Sequence, residues 1–160
     1  MANAFLVVRM RGTVNVPHWA RTTLKLLHLD KKFRATIIPA RENTKGMLDK
    51  IKHYVSWQEL DLPTTKELLE KKARTGGYKK ITVEDIAKLG FKSTDELAKS
   101  LVEGTTSLSK LKPLKPWFAL SPPKHGFKRN TKKMYGEGGI LGSQGTSCTS
   151  EEHDVKWQPD

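Results

Sequence analysis

The sequence has few of the features that mark secreted, metal-binding or membrane proteins. Cys148 is the single cysteine, so no internal disulfide bond can form, and no zinc-ligand spacing surrounds it. The apolar run from Ala4 to Val8 is followed at once by two arginines and is too short for a signal peptide or a membrane span. A chain of this length buries roughly two-thirds of its unfolded surface, so a hydrophobic core alone can stabilise one domain.

Acidic residues are missing from residues 104–136, which contain eight lysines and arginines. Residues 1–41 are also basic, with eight bases and one acid, whereas residues 42–103 are nearly balanced and residues 137–160 are acidic. The net charge of +12 is therefore concentrated in two segments. Charge that serves only solubility is mixed in sign along a chain, so this distribution favours a polyanionic partner held by phosphate neutralisation and counterion release.

Periodicity and capping signals predict an α+β domain. Residues 1–59 follow a β-α-β-α pattern, with strands in FLVVRMRG and KFRATIIPA and helices in PHWARTTLKLLHL and TKGMLDKIKHYV. Residues 60–112 are nearly balanced in charge, with eleven bases and eight acids, and contain three short helical patterns. The last two patterns have capping signals at Thr82 and Ser93, so we interpret these residues as an inserted block. KPWFALSPP in residues 113–123 predicts the last core strand, which would complete a three-stranded sheet with two helices on one face.

The other face of this predicted sheet would remain available to a partner. Along the first strand Leu6, Val8 and Met10 alternate with a second set, which consists of Phe5, Val7, Arg9 and Arg11. We expect the free face to carry the two arginines of that set, with Arg34 contributed by the second strand. The first helix adds a basic stripe that consists of Arg21, Lys25 and His28. Such a stripe is equally typical of a solvated helix face and of an RNA contact.

The basic extension, defined here as residues 124–145, is rich in glycine and in like charge, so we expect it not to pack a core. Its cations and aromatic rings are interleaved: Lys124, His125, Phe127, Lys128, Arg129, Lys132, Lys133 and Tyr135. Cations that neutralise phosphates and flat rings that stack on bases are what irregular RNA surfaces require. A solvated loop with incidental aromatic residues is the alternative interpretation. Residues 146–160 are polar, acidic and aperiodic, which predicts a flexible tail.

Catalytic signatures are scarce. The five histidines show no HExxH spacing, GxSxG does not occur, and GEGGILG lacks the Gly-Lys-Ser/Thr of a phosphate-binding loop. We therefore predict no enzymatic activity, no cofactor and no metal site. An RNA-modifying enzyme would need a cofactor pocket that these patterns do not indicate.

Several uncommon strings occur in order between about residues 4 and 145. They are RGTVNV (Arg11 to Val16), KGML (Lys45 to Leu48), YVSWQEL (Tyr54 to Leu60), LVEG (Leu101 to Gly104), and LKPWFALSPPKHGFKR with YGEGGILG. On these strings the chain resembles family thirty of the large-subunit ribosomal proteins in its archaeal form, which is homologous to the eukaryotic protein called L-seven. The resemblance implies a ferredoxin-like β-α-β-α-β core, helices inserted before the last strand, and a basic C-terminal extension that faces RNA.

The resemblance also implies the function and the partners. It implies a non-enzymatic constituent of the large subunit in the cytoplasm, one copy per ribosome, which binds large-subunit ribosomal RNA near the 5S rRNA and contacts neighbouring ribosomal proteins but no membrane. By position it adds RNA contacts in the first strand and its loop and at the expected start of the second helix: Arg9, Arg11, Gly12, Thr13, Asn15, Lys45 and Gly46. A transient RNA-binding assembly or rRNA-processing factor remains the alternative.

Overall fold

The structure is a computed structural model that describes residues 4–123 and 126–144. Lys124, His125 and the predicted tail of residues 146–160 lie outside these ranges. The first half of the chain contains β1 (Ala4–Arg9), α1 (His18–Leu26), β2 (Arg34–Pro39), α2 (Glu42–Ile51), β3 (Val55–Glu59) and α3 (Leu62–Lys72). The second half contains α4 (Val83–Lys88), α5 (Thr94–Val102), β4 (Phe118–Ala119), β5 (Asn130–Met134) and β6 (Gly139–Ser143). Short 3-10 helices cover Gly76–Tyr78, Leu108–Lys110 and Tyr135–Glu137.

The strands form one mixed sheet in the order β4-β2-β1-β3-β6-β5. Strand β1 is central and pairs antiparallel with both β2 and β3, while β4 pairs antiparallel with β2. Strand β6 runs parallel to β3, and β5 runs parallel to β6. The α+β class is confirmed, but the prediction of three strands is wrong because the sheet has six.

The third strand of the core is β3, not a strand in residues 113–123. Helix α2 ends at Ile51, so YVSWQEL is not part of it. Val55 was predicted to lie on the second helix, but it is the first residue of β3 and pairs with Arg9. The inserted helices therefore follow the third core strand. Strand β4 has only two residues and extends the free edge of β2 through the pair Ala35 and Phe118.

Both faces of the central sheet are covered. Helices α1 and α2 pack on the face of β1 that carries Val7, in a cluster that consists of Val7, Val16, Ala20, Leu24, Leu27, Leu29, Leu48, Ile51 and Val55. On the opposite face, Leu6 and Val8 pack against the inserted helices, with Leu68 of α3 and Leu101 of α5 in the same cluster. The prediction of a free sheet face is therefore wrong, because the inserted block supplies a second apolar layer. Neither face of the central sheet is therefore available to RNA.

Local signals in the inserted block are confirmed. Thr82 and Asp85 form a capping box at the start of α4, and hydrogen bonds from Thr82 lower the pKa of the Asp85 carboxyl. At α5, the backbone N–H of Glu96 donates to Ser93 Oγ at 3.3 Å, and Lys92 N–H donates to the Glu96 carboxylate at 2.9 Å. These helices begin where their caps predict because the caps satisfy amides that the helix itself cannot.

Part of the basic extension belongs to the core. Ile140 and Leu141 of β6 are fully buried in the cluster under the inserted helices, which contradicts the expectation that the extension packs no core. Gly138 has φ +77°, a backbone region that favours glycine, and it connects the preceding 3-10 helix to β6. Gly139 lies against the Lys133 carbonyl so closely that a Cβ atom would overlap it.

We expect Gly139→Ala to destabilise the domain, whereas Gly46→Ala should stabilise it. The added methyl group at position 139 would collide with backbone, and overpacking of this kind costs about 1–3 kcal/mol. Gly46 lies inside α2 with no atom near the Cβ position, so alanine there should gain about 0.5–1 kcal/mol of helix propensity. Urea unfolding of both variants measures the difference. Equal stability of Gly139→Ala and the wild type would contradict this packing.

Candidate nucleic-acid interface

Arg9 is a buried structural residue. Its side chain points inward from β1, the residue is only 3% exposed, and its guanidinium donates to four backbone carbonyls. Nε donates to Arg11 O at 2.8 Å and Nη2 to Gly12 O at 2.9 Å, while Nη1 donates to Leu29 O at 2.6 Å and to Asp30 O at 2.9 Å. Burial lowers the pKa of Arg9, opposed by the charge of Asp30. The structure argues against the predicted RNA contact at Arg9, because the side chain is buried and four of its five N–H donors already bond to backbone carbonyls.

The hydrogen bonds of Arg9 fix the β1–α1 loop, defined as residues 10–17. They join this loop to the connection between α1 and β2, and the amides of Met10 and Arg11 both donate to Tyr54 O, at 2.9 and 3.2 Å. Asn15 adopts φ +55°, which asparagine tolerates better than most residues. Thr13, Val14 and Asn15 are exposed at the tip, with Val14 84% exposed. The loop therefore presents its tip to solvent on a fixed backbone.

The β1–α1 loop and the basic extension meet at one place. Arg11 Nη2 donates to the Lys132 carbonyl at 3.1 Å across 121 residues of sequence. A cleft of about 380 Å³, here called the junction cleft, opens beside this contact. Its lining consists of Met10, Arg11, Gly12, Val14, Asn15, Lys32, Tyr54, Thr131 and Lys132. The lining includes three cations and no acidic residue, so it attracts anions.

The remaining predicted residues of the extension surround β5. Lys128, Lys132 and Lys133 have exposed side chains, and the Arg129 guanidinium lies 4.9 Å from the centre of the Tyr135 ring. Among the described residues, the structure therefore brings together four cations of the extension and one of the rings that the sequence assigned to RNA. A charged edge of this kind also prevents β5, the last strand of the sheet, from pairing with another chain.

Two further predictions from the sequence need correction. Lys45 and Gly46 do not open the second helix, because α2 begins at Glu42 and the Lys45 amide already donates to Arg41 O at 3.0 Å. Their side-chain positions are exposed, but the expected backbone phosphate site is wrong. Arg34 is not a free cation either. Its side chain is 16% exposed, pairs with Asp30 at 3.2 Å and lies 4.0 Å from the centre of the Trp117 ring.

An aromatic cluster next to Arg34 was not apparent from the sequence. Lys115 Nζ lies 4.0 Å from the centre of the Tyr78 ring and 5.4 Å from that of Trp117, and the two rings are 5.8 Å apart at 57°. Tyr78 comes from the inserted block and Trp117 from the segment before β4, so no local pattern connects them. Only the isolated aromatic residues in basic surroundings could have signalled this cluster.

Within residues 4–123 and 126–144, no group of histidine, cysteine, aspartate and glutamate side chains is arranged to hold a metal ion. No helix in the same ranges is long and apolar enough to cross a membrane. A small α+β domain that presents cations and aromatic rings from loops and sheet edges is typical of proteins that bind structured RNA.

Comparisons with known proteins agree with that class. Residues 5–55 match the sequence model of the family described as ribosomal protein L30p/L7e. A large ribosomal subunit protein uL30 from Nitrosopumilus maritimus is 60% identical over 142 residues, which cover 89% of this chain and 92% of that protein. The proteins of the same name from Cenarchaeum symbiosum and Nanoarchaeum equitans are 58% and 43% identical; the matches cover 89% and 88% of this chain and 92% and 91% of those proteins.

The chain belongs to the L30p/L7e family of ribosomal proteins. The resemblance identified from the sequence is thus confirmed, and its archaeal character agrees with these relatives. The family consists of structural, non-enzymatic components of the ribosome.

Proposed function

We propose that this protein is a structural constituent of the large ribosomal subunit, where it binds ribosomal RNA and supports the assembly and stability of the subunit in the cytoplasm. The family relationship, with 60% identity over 89% of the chain, carries this proposal. The junction between the β1–α1 loop and β5 supports it, because Arg11 and Lys132 form one basic surface from two distant segments.

The mechanism is electrostatic and architectural. The core holds the β1–α1 loop through Arg9 and anchors the extension through Ile140 and Leu141, so the cations on both are positioned before RNA arrives. Prior ordering lowers the entropy lost on binding. Phosphates of the RNA then replace the counterions around these cations, which makes the affinity depend on salt.

The proposal includes individual RNA contacts, the number of copies and the neighbours in the subunit. RNA contacts come from Arg11, Gly12, Thr13 and Asn15 on the loop, from Lys128, Arg129, Lys132, Lys133 and Tyr135 on the extension, from the exposed Lys45 side chain, and from Lys124 and His125 outside the described ranges. One copy binds per subunit, close to the 5S rRNA and to neighbouring ribosomal proteins. The inserted helices, whose surface is balanced in charge, suit a protein neighbour better than RNA.

Binding to deproteinised large-subunit rRNA tests the proposal. The logarithm of the affinity should fall linearly with the logarithm of the salt concentration, with a slope of about −0.7 to −0.9 for each phosphate contact. Small-subunit rRNA of the same organism is the matched control and should bind more weakly at every salt concentration. Equal affinity for both RNAs would contradict a specific place in the large subunit.

A further inference from the structure

A second cleft, here called the aromatic cleft, lies where β4 pairs with the start of β2. It has a volume of about 240 Å³, and its lining consists of Lys31, Lys32, Phe33, Arg34, Tyr78, Trp117, Ala119 and Leu120. We propose that the aromatic cleft binds one unpaired base of the ribosomal RNA, stacked on Tyr78, with its flanking phosphates on Lys31, Lys32 and Lys115. This inference rests on the proposed function and adds a base-recognition site to it.

In and beside the cleft, each of three cations lies over an aromatic ring. Lys115 lies over the Tyr78 ring at 4.0 Å, Arg34 lies over Trp117 at 4.0 Å, and Lys32 Nζ lies 4.7 Å from the centre of the Phe33 ring. Tyr78 is nevertheless 52% exposed, so much of its surface remains open to solvent. Exposed rings next to cations bind single-stranded nucleic acid by base stacking and phosphate neutralisation together.

The backbone holds Tyr78 in place. The turn that carries it is closed by the Arg74–Lys80 bridge and by Thr75 N–H, which donates to Lys79 O at 3.0 Å. Lys115 N–H donates to Arg74 O at 2.9 Å, which attaches this turn to the segment that carries Trp117. A stacking platform that is fixed in advance loses little entropy when a base binds.

Two aromatic residues of the cleft have a positive backbone φ, which residues other than glycine rarely adopt. Phe33 has φ +60° and Tyr78 has φ +65°. Such backbone is strained and is concentrated at ligand-binding sites. The Tyr78 side chain contacts Lys115 and Trp117 but is half exposed, so burial in a core does not offset this strain.

The size and charge of the cleft favour a base over other occupants. Its 240 Å³ lies below the ~300–1,000 Å³ of pockets for whole small ligands and cofactors, so one ring system is the natural occupant. The lining contains three cations and no acid, and Asp30 beside it is already paired with Arg34. A neighbouring protein would have to supply acidic residues to match this charge, whereas RNA supplies phosphates next to every base.

Replacement of Tyr78 tests the proposal. We expect Tyr78→Leu to weaken binding to deproteinised large-subunit rRNA on the order of 10- to 100-fold, because one base stack is lost. The salt slope should not change, since no phosphate contact is removed. Tyr78→Phe is the matched control: it keeps the ring and should bind like the wild type. Thermal melting of both variants checks that the fold is intact.

The outcomes separate this inference from the proposed function. If the wild type fails to bind the rRNA, the proposed function fails and the base site fails with it. If the wild type binds and Tyr78→Leu binds equally well, only the base site is overturned. If Tyr78→Leu binds the bare rRNA normally but enters salt-stripped large-subunit core particles poorly, the cleft contacts a neighbouring protein, which also overturns the base site.

Discussion

Lys132→Glu combined with Lys133→Glu is expected to weaken binding to large-subunit rRNA by about 100-fold near physiological salt and to reduce the salt slope by about 1.5. Both side chains are exposed on β5, and Lys132 also lines the junction cleft. Reversal of their charges removes two phosphate contacts and adds repulsion. Arg11 donates to the backbone carbonyl of Lys132, and any side chain at position 132 retains that carbonyl.

The matched control carries the same change in charge elsewhere. Lys71→Glu with Lys99→Glu alters two exposed lysines of the charge-balanced inserted block, on α3 and α5. Filter binding across a salt series should show a small effect for this control and a large one for the β5 variant, with melting temperatures close to the wild type for both. Equal losses in the two variants would mean that only net charge matters, and the extension would lose its assigned role.

Arg9→Ala is expected to destabilise the domain by about 3 kcal/mol or more, since it leaves buried carbonyls that had bonded to a charged donor without a partner. For a domain of this size the melting temperature should fall by roughly 6–12 °C. Arg9→Lys should recover part of the loss, because one ammonium group cannot reproduce the planar set of guanidinium donors.

Arg11→Ala is the matched comparison for Arg9→Ala. Arg11 lies just after β1, is half-buried and makes one exposed hydrogen bond. Its loss should therefore change stability by less than about 1 kcal/mol and act on RNA affinity instead. Calorimetry and filter binding on the two variants separate the roles. A thermally unchanged Arg9→Ala that binds RNA poorly would restore Arg9 as an RNA ligand and contradict the structure.

The contrast between these two arginines shows which contacts a sequence pattern does not predict. Alternation places Arg9 and Arg11 on the same face of one strand, but it does not reveal that Leu29, Asp30 and Gly12 supply carbonyls to only one of them. The helix caps at Thr82 and Ser93 were predictable because their partners are three residues away. Local chemistry is readable from the chain, whereas contacts between distant segments are not.

The extension illustrates the same limit at the level of the fold. Charge alone placed a basic surface in residues 124–145, and the described cations do lie on β5 or just before it. Its glycines concealed a strand, because Ile140 and Leu141 acquire their apolar neighbours from a sheet whose partner strand β3 lies more than 80 residues earlier. The contact between Trp117 and Tyr78 was not predicted for the same reason, since the two residues lie far apart in the sequence.

Sedimentation of the native protein from cell lysate tests the central claim most directly. Matched low- and high-salt gradients, each with and without ribonuclease, separate resident proteins from loosely bound ones. We expect the protein to migrate with mature large subunits and translating ribosomes, to remain there through a high-salt wash, and to be released by ribonuclease. Its appearance only in light precursor fractions, or at the top of the gradient, would contradict a structural constituent of the large subunit and favour a transient assembly factor or an unrelated role.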